Sequence, residues 1–232
     1  MSYDILLFDA DRTLYDFDKS EELAFYEIAP KYGVPCNSEV FNLYREINHK
    51  NWEDLEKGLL PKERIVVRRF EQLLQRLNLP YDNASQMNED YLNALSTKSI
   101  LFEDTIPLLE RLQKAGKRIF IITNGVTKVQ LGRINGSPLQ KFVEELFISE
   151  QMGVSKPQKL FFDLVANKIN GYNQTSALVI GDSLTSDIQG ANNAGIDCVW
   201  LNLDNKTAPS HYSINFTATN LQQIGDFILS KN

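Results

Sequence analysis

The strongest constraint on folding is a set of short runs that are apolar from end to end. They are Ile5-Leu6-Leu7-Phe8, Ile119-Phe120-Ile121-Ile122 within the strand predicted over Arg118–Thr123, Ala177-Leu178-Val179-Ile180 and Cys198-Val199-Trp200-Leu201, with a shorter run that opens the strand predicted over 146–149. A strand with one wet face alternates apolar and polar residues, so unbroken apolar runs belong to strands covered on both sides. From residue 101 onwards the segments between these runs have helical periodicity. Helices are predicted over 105–114, 127–134, 159–169 and 185–194, with a helical turn near 139–145. A final helix, capped by Thr219 or Asn220, presents Leu221, Ile224, Phe227 and Ile228 on one face. Alternating strands and helices of this kind predict an α/β fold with a doubly wound (Rossmann-like) parallel sheet.

The interval between the first two runs has a different character. Apolar residues recur at helical spacing over 20–32, 38–55, 62–77 and 85–95, broken at Gly33, Pro35, Gly58, Pro61 and Pro80. In the first segment Ser20 reads as an N-cap, with Glu21 and Glu22 in the first turn and an apolar stripe of Leu23, Tyr26, Ile28 and Ala29. The expected organisation is an α/β core of residues 1–15 and 96–232, with a helical domain of residues 16–95 inserted after the first strand.

Charge narrows the ligand. With 30 acidic and 24 basic residues the chain carries −6, and its basic residues are dispersed. Nucleic-acid polymers and anionic membranes both require concentrated positive charge, so neither is an expected partner; a small phosphorylated substrate remains. Cys36 and Cys198 lack metal-ligand or redox-pair spacing and read as ordinary thiols of a reducing compartment. No signal-peptide pattern and no membrane-length apolar window is present, so the expected location is the cytoplasm.

Three of the apolar runs end in polar clusters: Asp9 and Asp11 after the first, Thr123-Asn124-Gly125 after the second, and Gly181-Asp182-Ser183 with Asp187 after another. Taken singly, the first cluster is also what an Asp-rich turn looks like. Parallel strands of one sheet, however, end on one edge, where ligands of open α/β sheets bind. Three acids then share one place, with a fourth close by. That arrangement repels itself unless a hard divalent cation relieves it, and Mg²⁺ suits a site of few carboxylates completed by water and a substrate phosphate.

With these residues in order, the chain resembles the haloacid dehalogenase superfamily of aspartate-nucleophile phosphatases. The resemblance spans nearly the whole chain and rests on Asp9-Ala10-Asp11-Arg12-Thr13, Thr123-Asn124-Gly125, Lys156-Pro157 and Gly181-Asp182-Ser183-Leu184-Thr185-Ser186-Asp187. It implies that Asp9 attacks phosphorus and forms an aspartyl-phosphate, and that Asp11 is the general acid and then the general base. It implies Mg²⁺, with Mn²⁺ as an alternative, held by the Asp9 side chain, the Asp11 backbone carbonyl and Asp182, with Asp187 behind them. Phosphate oxygens would be met by the Thr123 hydroxyl, the backbone amides of Asn124 and Gly125, and Lys156, which the following proline holds extended. The helical insertion resembles the family's mobile cap. Arg12 departs from the family, which more often has Gly, Asp or Asn there. Such an arginine either points into solvent, aids anion binding, or pairs with Asp11.

Because Asp11 is present, a phosphate-ester hydrolase fits better than a 2-haloacid dehalogenase, whose halide needs no leaving-group acid, or a non-catalytic phosphate-binding protein. The segments Asn51-Trp52-Glu53-Asp54-Leu55-Glu56-Lys57-Gly58, Arg68-Arg69-Phe70 and 153–159 resemble bacterial noncanonical pyrimidine 5′-nucleotidases, as does the stretch 193–202. That resemblance implies pyrimidine nucleoside monophosphates such as UMP, dUMP and dTMP as substrates, with sugar phosphates or phosphoglycolate as the alternative. Phe17, Phe41, Tyr44 and Trp52 are candidates for stacking on a base, or else belong to the interior of the insertion.

Overall fold

A computed structural model describes residues 2–231. Two compact units emerge, one comprising the chain up to Phe17 and from Ser99 onwards, the other Asp18–Lys98. The first unit is built on a parallel sheet of strands β1 (Ile5–Phe8), β2 (Arg118–Thr123), β3 (Glu145–Ile148), β4 (Ala177–Gly181), β5 (Asp197–Leu201) and β6 (Phe216–Ala218). Their order is β3-β2-β1-β4-β5-β6 and every pairing is parallel. The strand order therefore reverses at β1, which lies between β2 and β4. Side chains alternate across the pleat, and both faces are buried. Leu6, Phe8, Ile119, Ile121, Leu178 and Ile180 pack on one side with Leu108, Leu112, Ile224 and Ile228. Ile5, Leu7, Phe120, Ile122 and Val179 pack on the other with Phe161, Phe162, Val165 and Ala191. Fully burying one such side chain is worth about 1.5–3 kcal/mol, so a polar residue inside β1 would be expelled.

The second unit contains most of α1 (Phe17–Ile28), then α2 (Ser38–Glu56), α3 (Lys62–Arg76) and α4 (Ala84–Ser96). Helix α1 begins at Phe17, so Ser20 lies inside it as a buried residue and is not its cap. The buried face is Ser20, Glu21, Ala24, Phe25 and Ile28, while Leu23 is exposed. The difference has a packing cause: this rotation brings Phe25 against Tyr44, with ring centroids 4.8 Å apart, and Tyr44 against Phe70 at 5.5 Å. Phe41 and Tyr44 are thus interior residues of this unit, whereas Phe17 and Trp52 keep partial exposure.

After β1 and α1–α4, the remaining helices are α5 (Thr105–Lys114), α6 (Thr127–Asn135), α7 (Ser149–Met152), α8 (Lys159–Lys168), α9 (Gln189–Ala194) and α10 (Leu221–Leu229). One local expectation requires correction, and one strand was not foreseen. The helix expected over 185–194 starts as a wide π-helical turn at Leu184–Ile188 before it becomes α9. Strand β6, only Phe-Thr-Ala in composition, was not legible as an apolar run; it exists because it pairs with β5 at the sheet edge, Val199 opposite Phe216. Asn220 caps α10 by accepting from the Gln223 amide at 2.9 Å. Cys36 and Cys198 are free thiols. No described helix is long and apolar enough to cross a membrane.

Candidate active site

The sheet register brings the three polar clusters to one level. Phe8 is paired with Ile121 on one side and Ile180 on the other, so the chain leaves β1, β2 and β4 within two residues of a common line. Asp9 is still hydrogen-bonded to the sheet, its amide donating to the Ile180 carbonyl at 2.8 Å. Two glycines are dictated by close approach. A Cβ on Gly181 would lie 2.2 Å from the Asp187 carboxylate, and one on Gly125 would lie 2.0 Å from the Gln130 amide.

Lys156 joins the clusters. It is 1% exposed, and its ammonium donates to Asp9 Oδ1 at 2.7 Å, to Asp187 Oδ1 at 2.7 Å and to the Ile122 carbonyl at 2.8 Å. All three of its donors are used, which is the condition for burying a lysine at all. Asn124 fixes the lysine's backbone: its side-chain amide donates to the Lys156 carbonyl at 2.8 Å, and its carbonyl accepts from the Lys156 amide at 3.0 Å. The Asn124 side chain is therefore committed to this task. Thr123 is buried, and its Oγ1 accepts from the Gly125 amide at 3.0 Å.

The electrostatics follow from this crowding. Burial pushes the Asp9 carboxyl up to about 7; the Lys156 ammonium pulls it back, and Asp187 and Asp11 add repulsion. Burial works against the charge on Lys156, but Asp187 and Asp9 outweigh it and hold the ammonium above its usual range. Asp182 is driven well above the carboxylate range by desolvation and then by Asp9 and Asp187, with Arg12 opposing.

Carboxylate oxygens of Asp9, Asp182 and Asp187 lie within 4.8 Å of one another. Lys156 takes Asp9 Oδ1 and Asp187 Oδ1, the Ser183 amide donates to Asp187 Oδ2 at 3.1 Å, and Arg12 takes Asp182 Oδ2. Asp9 Oδ2 accepts from the Thr13 hydroxyl at 3.3 Å; the ligand atoms that the three acids offer are all oxygen, and three mutually repelling acids gain from a small hard cation. The residues fit Mg²⁺, with Asp187 behind Lys156.

Arg12 is not turned into solvent but pairs with two acids. Its Nε donates to Asp182 Oδ2 at 3.1 Å and its Nη2 to both oxygens of Asp204 at 3.1 Å. Its backbone is left-handed, with φ of 60°. Arg133 reaches Asp11 through Nη2 to Oδ1, while Gln130 Nε2 donates to Asp11 Oδ2 at 2.8 Å. Gln130 and Arg133 were not among the residues expected at the site. Their signal was present: both occupy the buried face of α6 between Val129 and Ile134, where a charge is out of place.

Comparison with known proteins agrees with this geometry. A family of haloacid dehalogenase-like hydrolases matches residues 3–195. The chain is 36% identical over 210 residues to the pyrimidine 5′-nucleotidase PynA of Streptococcus pneumoniae, covering 89% of this chain and 88% of that one. It is 30% identical to the pyrimidine 5′-nucleotidase YjjG of Escherichia coli over 97% of both. Among solved structures it resembles the Bacillus subtilis protein YfnB bound to magnesium, in a form that reveals interdomain movement in that protein. The TM-score is 0.93 at 30% identity, over 98% of this chain and 99% of that one. A buried lysine bridging the acids at the strand ends, a parallel sheet reversing at β1 and a family match across most of the length converge on one statement: this chain is a member of the haloacid dehalogenase-like hydrolases.

Proposed function

We propose that the chain is a phosphomonoester hydrolase acting on pyrimidine nucleoside 5′-monophosphates such as UMP, dUMP and dTMP. The observation that carries the chemistry is the buried Lys156 ammonium bridging Asp9 and Asp187 beside Asp182. Asp9, pinned through Oδ1, attacks phosphorus and becomes an aspartyl-phosphate. Asp11 gives a proton to the departing 5′ oxygen, then takes one from the water that attacks the aspartyl-phosphate. The Thr123 hydroxyl and the Asn124 backbone amide meet the phosphoryl oxygens, and Lys156, whose three donors are held by Asp9, Asp187 and the Ile122 carbonyl, binds the phosphoryl group through its positive charge. Mg²⁺, or Mn²⁺ in its place, would be held by the Asp9 side chain, the Asp11 backbone carbonyl and Asp182, with Asp187 supporting, and when bound supplies charge neutralisation between nucleophile and phosphate.

The nucleotide preference is supported by the identity to PynA and YjjG over most of the chain, both of which are pyrimidine 5′-nucleotidases. Residues 16–95 take the role of a cap that selects the leaving group. A panel of phosphate monoesters assayed with and without Mg²⁺ tests both parts. The expected result is metal-dependent hydrolysis with the highest kcat/KM on pyrimidine nucleoside monophosphates. Preference for sugar phosphates or phosphoglycolate would overturn the substrate, and no phosphate release from any ester would overturn the activity.

A further inference from the structure

We infer that Gln130 and Arg133 of α6 are positioning residues for the general acid, holding the Asp11 carboxyl at both oxygens. The inference rests on the role proposed above for Asp11. Asp11 stands on the turn after β1, with 26% of its side chain exposed, so the sheet alone does not aim it. Gln130 Nε2 holds Oδ2 at 2.8 Å and Arg133 Nη2 holds Oδ1, while Arg133 Nη2 also donates to Gln130 Oε1 at 3.2 Å. The three groups form a closed triangle that fixes rotation of the carboxyl about its last bond. A carboxyl has about four lone-pair sites, and two remain for the proton it passes.

Arg133 is unsuited to a purely structural role. It is fully buried, yet its Nε and Nη1 have no hydrogen-bond partner among the described residues. An arginine that merely filled the interior would spend those groups on carbonyls. Instead its guanidinium lies against ring faces, 4.4 Å from the Tyr15 centroid and 5.8 Å from that of Phe17. These rings leave Nη2 directed at Asp11. Gln130 in turn packs into the space that the missing side chain of Gly125 provides, so the second cluster's glycine also sets where the acid points. A local conflict of this kind, charge on the apolar face of a helix, is expected where function overrides packing.

A positioning role for a general acid has a signature that general damage lacks. Nucleoside 5′ oxygens need a proton to leave, whereas p-nitrophenolate departs without one. The quantity to compare is kcat/KM, which reports the steps up to formation of the aspartyl-phosphate and excludes the later hydrolysis. Gln130→Met removes the donor at similar volume, and Arg133→Lys keeps the charge without the fork. Both are measured in Mg²⁺ on the alkyl phosphate turned over fastest and on p-nitrophenyl phosphate, beside Asp11→Asn. Each variant is expected to lose at least tenfold more on the alkyl ester than on p-nitrophenyl phosphate, in the same sense as Asp11→Asn. Equal losses on the two esters, or none on either, overturn the inference. If Asp11→Asn shows the difference and neither clamp variant does, the clamp fails and the acid stands. If Asp11→Asn itself falls equally on both, the acid assignment fails and takes the clamp with it. Should one clamp variant not fold, judged by circular dichroism, the other carries the test.

Discussion

At the scale of single residues, Arg12 is the most informative position in the first motif. It sits in the left-handed region, which costs a side chain-bearing residue about 1–2 kcal/mol, and it spends its guanidinium on Asp182 and Asp204. The cation on Asp182 competes with any metal that uses the same carboxylate. Arg12→Gly relieves the backbone and removes the competitor. The expected outcome is turnover within tenfold of the parent and severalfold tighter Mg²⁺ binding by titration calorimetry. Weaker binding would show that Arg12 holds Asp182 in place for the metal. The contrast between Arg12 and Arg133 also shows how far residue identity can be read without coordinates. Asp9, Asp11 and Asp182 were legible because acidic clusters at the ends of several parallel apolar runs converge on one edge, and Lys156 only through its place in the motifs that carry the family resemblance. Which arginine meets which acid was not, because that depends on a helix joined to the acid by the sheet and not by sequence.

At the scale of elements, α1 to α4 are tied by a buried polar relay. Glu21 accepts from Asn48 Nδ2 at 2.7 Å, Asn48 Oδ1 accepts from Arg69 Nη1 at 3.0 Å, and Arg69 Nη2 donates to Asn88 at 3.1 Å. The Arg69 guanidinium also lies 5.0 Å from the Phe70 ring and 4.7 Å from that of Tyr91. Burial raises Glu21 to about 7 from an ordinary 4.5, with Arg69 and Arg45 opposing. The folded state therefore keeps a proton that the unfolded chain releases between those values. The associated stability is complete below about pH 4.5 and is lost as pH rises through 7, by roughly 3 kcal/mol. Glu21→Gln should flatten the pH dependence of Tm between pH 5 and 8 and be the more stable protein at pH 8. A variant less stable than the parent at pH 8 would mean that ionised Glu21 is well paired. The sequence placed Glu21 in the first turn of its helix, because an acid near a helix start has a ready explanation in the helix dipole. The relay that buries it comes from three other helices. Elements with long apolar runs or clear periodicity were recovered within a few residues. The three-residue β6 was not, since pairing at the sheet edge and not its own composition makes it a strand.

At the scale of the whole molecule, a parallel sheet reversing at β1 sets Asp9, Thr123 and Asp182 at one level, and Lys156 neutralises enough of the charge on Asp9 and Asp187 for those two acids to stay buried. The α/β class followed from apolar runs alternating with helices, and the convergence of the clusters followed from strand direction alone. What the sequence withheld was the wiring beneath: Asn124 gripping the Lys156 backbone, and α6 gripping Asp11. The central claim is that Asp9 is the nucleophile. Its most direct measurement is kcat/KM of Asp9→Asn on UMP, or on the ester turned over fastest, with folding verified by circular dichroism and Tm. The account predicts a loss of at least a thousandfold, about 4 kcal/mol of transition-state stabilisation, in a folded protein. A folded Asp9→Asn variant that keeps its rate within tenfold would contradict it.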